Sequence, residues 1–338
     1  MSVAVQSHDT SVGLAFPEAA AALKSALTSE LEATNAIVLE HLGSRVPLIP
    51  QVAEHLINAG GKRLRPLIAL ASAQIAGAEG ENARYLAAAV ELIHAATLLH
   101  DDVVDESATR RGFKTANVVF GNKESVLVGD FLFARAFELM VKTGQLPVLE
   151  ILSQASCTIS EGEVLQLETQ GNIDTTEKMH LDVVRAKTAT LFEAAARSGA
   201  LSLGPSPHAD ALAEFGLNFG IAYQLVDDAL DYGHSTFDIG KDRGDDFRER
   251  KMTMPVIMAY RAARDDSERQ FWRRAFAEGE GRFDEARRLI ERDSIGEQAL
   301  EHARGYARRA AKALETLPQH PLRDALVNLA ASSAERPF

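Results

Sequence analysis

The sequence predicts an all-α protein, a helical bundle in a single domain, and three observations predict it. Apolar residues recur at the 3.6-residue helical period through nearly the whole chain, while alternating strand-like runs are hard to find. Proline opens and glycine closes many of these runs. No Pro/Ser/Gly-rich linker divides the 338 residues.

Pro17 opens a helix over residues 18–42, and Gly43-Ser44 closes it. Pro47 and Pro50 bracket a turn before a helix over 51–59, which ends at Gly60-Gly61. Helices follow over 64–76 and 82–105. Residues 110–122 are rich in Gly, Lys and Asn and read as a loop crossing the mouth of a site. Helical patterns resume over 124–143, 147–170, 176–200 and 207–232, and a second loop covers 233–250. Shorter helices over 254–262, 266–277, 284–293, 295–317 and 322–334 complete the chain, with 264–338 read as a helical cap on the same domain. Residues 1–16 read as a flexible N terminus without the basic start and hydrophobic stretch of a signal peptide.

Composition excludes several classes of function. A net charge of −12 argues against nucleic-acid binding, which needs a basic surface. No run reaches the roughly 18 apolar residues of a membrane helix, so stable insertion is not expected. The single cysteine, Cys157, excludes an intramolecular disulfide and fits a reducing cytoplasm; its neighbours Ile151, Leu152 and Val164 predict a packed, unreactive thiol.

The chemistry concentrates in two matching clusters, Asp101-Asp102-Val103-Val104-Asp105 and Asp227-Asp228-Ala229-Leu230-Asp231. On a helix the first and fifth residues share a face, with the second acid about 100° round. A lone aspartate run is usually a solvated surface. Both clusters here emerge from apolar sequence, where uncompensated acids would cost several kcal/mol each. Divalent cations held by opposed carboxylates would compensate them.

Basic residues complement the acids. Gly60-Gly61-Lys62-Arg63-Leu64-Arg65-Pro66 sets three cations at a helix start, where backbone N–H groups already favour an anion. Arg110 and Arg111 lie just past the first acidic helix, and Lys187-Thr188, Lys241 and Lys251 add further polar groups. The combination fits a diphosphate held between cations and basic side chains, with Mg²⁺ suited to a site of few carboxylates, several waters and substrate phosphates.

Six ordered motifs then carry a family resemblance: GGKRLRP at 60–66, IHAATLLHDDVVDESATRRG at 93–112, VGDFLFARAF at 128–137, EGEVLQL at 161–167, KTATLF at 187–192 and YQLVDDALDY at 223–232. From about Val46 to Pro255 the chain resembles the long-chain trans-prenyl diphosphate synthases, the octaprenyl, solanesyl and decaprenyl type that makes quinone side chains. The resemblance implies the isoprenoid synthase bundle with a central catalytic cavity, and Mg²⁺-dependent condensation of isopentenyl diphosphate with an allylic diphosphate, either farnesyl or geranyl. It implies about three Mg²⁺ per site, with Mn²⁺ able to substitute, and a homodimer in the cytoplasm that touches membranes transiently to release its product.

Position by position, the resemblance implies that Asp101, Asp102 and Asp105 bind metal on the allylic diphosphate, faced by Asp227, Asp228 and Asp231. Lys62, Arg65, His94 and Arg111 correspond to the isopentenyl diphosphate pocket. Arg110, Lys187, Thr188, Gln224, Lys241 and Lys251 correspond to allylic diphosphate contacts, Lys187 also to the catalytic set. One departure is visible: the family commonly has Glu-Gly-Lys where this chain has Glu249-Arg250-Lys251.

Product length is read from the helix before Asp101. Ala96 and Thr97 are small, so a growing tail would pass them toward Ile93 and Ala89, with Phe133 or Phe137 as a floor. A short- or medium-chain synthase is the alternative. A class I terpene cyclase would need no second diphosphate pocket, and a non-catalytic subunit would be expected to have lost part of a metal cluster.

Overall fold

The computed structural model describes residues 14–233 and 244–335, and these are almost entirely helical. In chain order they form α1 (Phe16–Ala26), α2 (Thr28–His41), α3 (Leu48–Asn58), α4 (Leu64–Ile75) and α5 (Glu81–Val104). A two-stranded hairpin follows, β1 (Thr109–Arg110) and β2 (Phe113–Lys114), then α6 (Ala116–Phe120), α7 (Asn122–Lys142) and α8 (Leu146–Thr169). Next come α9 (Glu177–Val184), a π-helical turn at Arg185–Ala189, α10 (Thr190–Ala200) and α11 (Ala209–Asp231). The remainder is α12 (Asp245–Arg248), α13 (Met254–Arg261), α14 (Asp266–Arg273) with a second π turn at Arg274–Glu278, α15 (Phe283–Arg292), α16 (Ile295–Ala313) and α17 (Pro321–Ser333).

Sequence punctuation explains several helix starts. Pro17, Pro147, Pro255 and Pro321 each sit in a first turn, where a missing N–H costs nothing. Thr176 caps α9 by accepting from the Met179 amide, and Asp265 caps α14 by accepting from Glu268.

Five local features depart from expectation. The helix expected over 18–42 breaks at Leu27, because the Thr28 hydroxyl turns back onto the Lys24 and Ser25 carbonyls. The loop expected over 110–122 contains the hairpin; Arg111 and Gly112 both adopt positive φ, as its tight two-residue turn requires. The helix expected over 176–200 is interrupted by the π turn that carries Lys187 and Thr188. At the N terminus, Phe16 is buried against Tyr223 rather than loose, with ring centroids 6.0 Å apart. Cys157 is exposed rather than packed, since it lies on the outer face of α8.

The core sits between α4, α5, α7, α8, α10 and α11. Leu86, Leu92, Ile93 and Leu99 of α5 are wholly buried, each contributing about 1.5–3 kcal/mol. Small residues let these helices meet closely. An added Cβ at Gly162 would lie 2.7 Å from the Lys187 amide nitrogen, so α8 can lie against the π turn only because that side chain is absent. Farther along, α16 packs along α11, and α17 packs against α1.

Candidate active site

The bundle encloses a cavity of about 600 Å³. Asp101 and Asp105 enter it from α5, and Asp227 and Asp228 from α11. Lys62, Arg65, His94, Arg110, Arg111, Lys187, Thr188, Gln224 and Lys251 line the same space. Lys241 lies outside the described residues. The two aspartate clusters therefore share one chamber, and the basic segments converge on it.

Within each cluster, helix rotation decides which acids face the cavity. Asp102 points into the protein, and burial pushes its carboxyl up. Arg110 opposes this by donating from Nε at 2.9 Å and Nη2 at 2.7 Å to Oδ1. Removing one partner of so buried a pair costs about 3–5 kcal/mol. The second oxygen of Asp102 is buried without a hydrogen-bond partner. Asp231 also departs from the facing arrangement expected for it. It ends α11 and accepts from the Gly244 and Asp246 amides at 3.0 and 3.2 Å, so it anchors the returning chain instead of lining the cavity.

Asp228 belongs to a buried polar chain that the sequence did not reveal. The Thr188 hydroxyl donates to Gln224 Oε1 at 3.0 Å, and the Gln224 amide donates to Asp228 Oδ1 at 2.8 Å. His180 Nε2 lies 3.0 Å from the other Asp228 oxygen. The π turn matters here, because widening the helix by one residue aims Lys187 and Thr188 inward together.

Lys187 Nζ donates to Glu163 Oε2 at 2.6 Å and lies 3.9 Å from Asp101 Oδ2. Burial, and then the Asp101 charge, push the Glu163 carboxyl up to about 7, against the pull of Lys187. On the other side, Lys251 Nζ donates to Asp105 Oδ2 at 3.0 Å and also pairs with Glu249. Burial disfavours the Lys251 charge, yet Asp246, Asp105 and Glu249 outweigh burial and hold it protonated.

A cluster of basic residues lines the same cavity. Lys62 stands over the rings of Phe16 and Tyr223, and the Arg65 guanidinium lies 4.2 Å from the centre of the Phe192 ring. Burial lowers Arg65 to about 10, which leaves it charged at neutral pH. Its Nε is buried without a protein acceptor. Burial, reinforced by Arg65 and Arg111, drives His94 well below the usual histidine range, so the neutral ring faces Arg65 across 3.3 Å. Arg63, the left-handed residue before α4, pairs with the buried Glu91. That cluster suits a multiply charged anion.

Sequence reasoning passed over Glu91, Glu163, His180 and Asp246. Glu91 had a readable signal, since it stands three residues before His94 on one helix face. Glu163 lay inside EGEVLQL without a role. His180 gave no signal, because its partner Asp228 is distant in sequence.

The chain-length residues divide. Thr97 lines the cavity with its hydroxyl tied to the His94 carbonyl at 2.8 Å. Ala96 is wholly buried and is not among the cavity-lining residues, because one helical step rotates it about 100° away from Thr97. Ile93 and Ala89 are likewise buried outside the lining. Phe133 stacks on His100, and Phe137 is exposed, so Phe137 forms no floor within one chain.

The donors that the two aspartate clusters offer a metal are all hard oxygens, which fits Mg²⁺ in kind. Among the described residues no three acidic or imidazole groups already converge on one point. Ligation by few carboxylates, completed by water and phosphate, is therefore the arrangement that fits.

Comparison with known proteins agrees with this geometry. The family model described as polyprenyl synthetase matches residues 46–291. The octaprenyl diphosphate synthase of Escherichia coli K12 is 43% identical over 310 residues, covering 91% of this chain and 96% of that one. The crystal structure of a decaprenyl diphosphate synthase from Rhodobacter capsulatus superposes with a TM-score of 0.89 at 49% identity, covering 94% of this chain and 98% of that chain. A polyprenyl synthase from Caulobacter crescentus, complexed with calcium and isoprenyl diphosphate, gives 0.90 at 46% identity and the same coverage. Sequence, fold and cavity together thus establish that this chain belongs to the polyprenyl synthetase family.

Proposed function

We propose that this protein condenses isopentenyl diphosphate head-to-tail onto farnesyl or geranyl diphosphate, and repeats the step to build a long all-trans polyprenyl diphosphate for a quinone side chain. One observation carries the reading: two carboxylate pairs and a cluster of basic side chains line a single chamber. Relatives named for octaprenyl and decaprenyl products support the long-chain assignment.

Mg²⁺ held by Asp101, Asp105, Asp227 and Asp228, with Asp102 and Asp231 behind them, would supply Lewis-acid stabilisation of the departing diphosphate; Mn²⁺ can replace it. Lys187, Lys251 and Arg110 neutralise the remaining charge on the allylic diphosphate. Lys62, Arg65 and Arg111 bind the second diphosphate, and neutral His94 donates or accepts without adding charge. Thr188 and Gln224 orient Asp228. Leu98, Ile159, Val183, Val184 and Phe192 line the cavity with apolar surface and limit water around the allylic cation. The double bond attacks that cation, and the proton lost afterwards passes to the released diphosphate.

The exposed apolar residues Leu127 and Val141 of α7 and Leu146 of α8 support a homodimer. No helix among the described residues is long and apolar enough to cross a membrane; the greasy product itself favours transient membrane contact on its release. The test is incubation of purified protein with farnesyl diphosphate, excess isopentenyl diphosphate and Mg²⁺, followed by mass analysis. Products of eight to ten isoprene units, about the range of the named relatives, would support the proposal; failure to consume isopentenyl diphosphate would end it.

A further inference from the structure

The hairpin that carries Arg110 and Arg111 is held by polar contacts rather than by a packed apolar face of its own. Two-stranded hairpins are marginal in water without a packed face, and Phe113, its large apolar side chain, is 57% exposed. On its inner side it is tied to the end of α5. Arg110 pairs with Asp102, the Thr115 hydroxyl donates to the Ser107 carbonyl at 2.6 Å, and Asn117 donates to the Asp102 carbonyl at 3.0 Å.

On its other side stands His55, a half-buried residue of α3 that does not line the cavity. Its Nε2 lies 2.7 Å from the Lys114 carbonyl oxygen of β2. Because a carbonyl only accepts, Nε2 carries the hydrogen and donates. The same ring meets Phe120, the last residue of α6, edge-on at 5.6 Å. His55 therefore grips the segment at two points.

What α3 leads into gives this contact its consequence. Two turns of chain beyond His55 lie Gly60, Gly61 and Lys62, one wall of the basic pocket; Arg111, at the hairpin tip, is the other. The walls already touch, since a Cβ on Gly61 would come within 2.9 Å of Arg111 Nη1. We propose that His55 is a positioning residue that latches the hairpin to α3, and so sets the separation between Arg111 and the Lys62–Arg65 wall across which a diphosphate is clamped. This rests on reading the basic cluster as the isopentenyl diphosphate pocket.

Arg110 stays tied to Asp102 whether or not His55 is present, so loss of the latch acts on the substrate that Arg111 binds. His55→Ala raises KM for isopentenyl diphosphate about three- to tenfold, the effect of one net hydrogen bond, and leaves kcat and the allylic KM within twofold. His55→Gln retains a donor and restores the KM, whereas His55→Phe keeps the ring contact with Phe120 and does not. Isothermal titration of isopentenyl diphosphate into each variant, without allylic substrate, repeats the order independently of turnover.

Three results would overturn the latch while the enzymatic reading stands: an unchanged isopentenyl KM in His55→Ala, equal rises in both substrates' KM, or rescue by Phe instead of Gln. Should the wild-type protein fail to consume isopentenyl diphosphate at all, the functional reading falls first and the latch falls with it.

Discussion

Lys251 Nζ lies 3.0 Å from Asp105 Oδ2 although 146 residues separate them in sequence. The contact brings the loop beyond the second aspartate cluster back across the cavity to the first. It also resolves the effect of the unusual neighbour: Arg250 adopts a φ of +55°, the left-handed conformation that glycine accepts freely, and Lys251 still reaches the site. The Arg250 carbonyl accepts from the Gly171 amide at 2.9 Å, and the Gln170 side chain donates to the Glu249 carbonyl at 2.6 Å, so the loop is seated on the end of α8.

Arg250→Gly should relieve that backbone strain, worth about 1 kcal/mol, and raise the thermal midpoint by about 1–2 °C with turnover unchanged. Differential scanning calorimetry checks this. A lower midpoint would show that the Arg250 side chain stabilises more than its backbone costs.

Asp101→Ala should lower turnover about a thousandfold, roughly 4 kcal/mol of barrier, with helical circular dichroism retained. The residue lines the cavity beside Lys187 and is not one of the buried core residues. Near-normal turnover would remove it from the mechanism.

Gly61→Ala places a methyl group within 2.9 Å of the Arg111 guanidinium. Arg111 must move, so we expect KM for isopentenyl diphosphate to rise about tenfold while the allylic KM holds. Steady-state kinetics with each substrate varied in turn decides the matter.

Glu163 contributes a pH dependence of definite sign. Its carboxyl is raised to about 7 in the fold, above its unfolded value, so the folded state binds the extra proton between roughly pH 4.5 and 7 and stability falls as pH rises through that window. Glu163→Gln should remove a penalty of about 1–3 kcal/mol at pH 8 and have little effect at pH 4.5. Urea midpoints at the two pH values test it; equal shifts at both would refute the assignment.

Thr97 and Ala96 should separate product length from packing. Thr97→Phe narrows the cavity wall and should shorten the product to a few isoprene units with catalysis retained. Ala96→Phe overpacks a wholly buried position and should cost about 1–3 kcal/mol in stability. Product masses and melting curves of the pair give the answer, and unchanged masses for Thr97→Phe would refute a tail path along this helix.

Helix positions, the two aspartate clusters and the glycine-led basic segment were legible in the sequence, because each depends on local periodicity, capping and composition. Gly60-Gly61 before α4 and Pro255 at the start of α13 show this directly. The hairpin at 109–114 was not legible, since its six residues read as a polar loop and its pairing needs two left-handed residues that only the folded backbone displays.

What the sequence determined by itself, then, was an all-α chain with two acidic banks and a basic entrance, since side-chain chemistry and helical period are properties of neighbours along the chain. Tertiary structure alone decided which oxygen faces the cavity. Asp101 and Asp231 occupy the first and last places of equivalent motifs, yet one meets Lys187 at the chamber and the other is occupied by the amides of Gly244 and Asp246. A helix can offer a carboxylate in any direction, but a buried charge settles where distant donors happen to be brought within about 3 Å, and that meeting is a property of the packed fold.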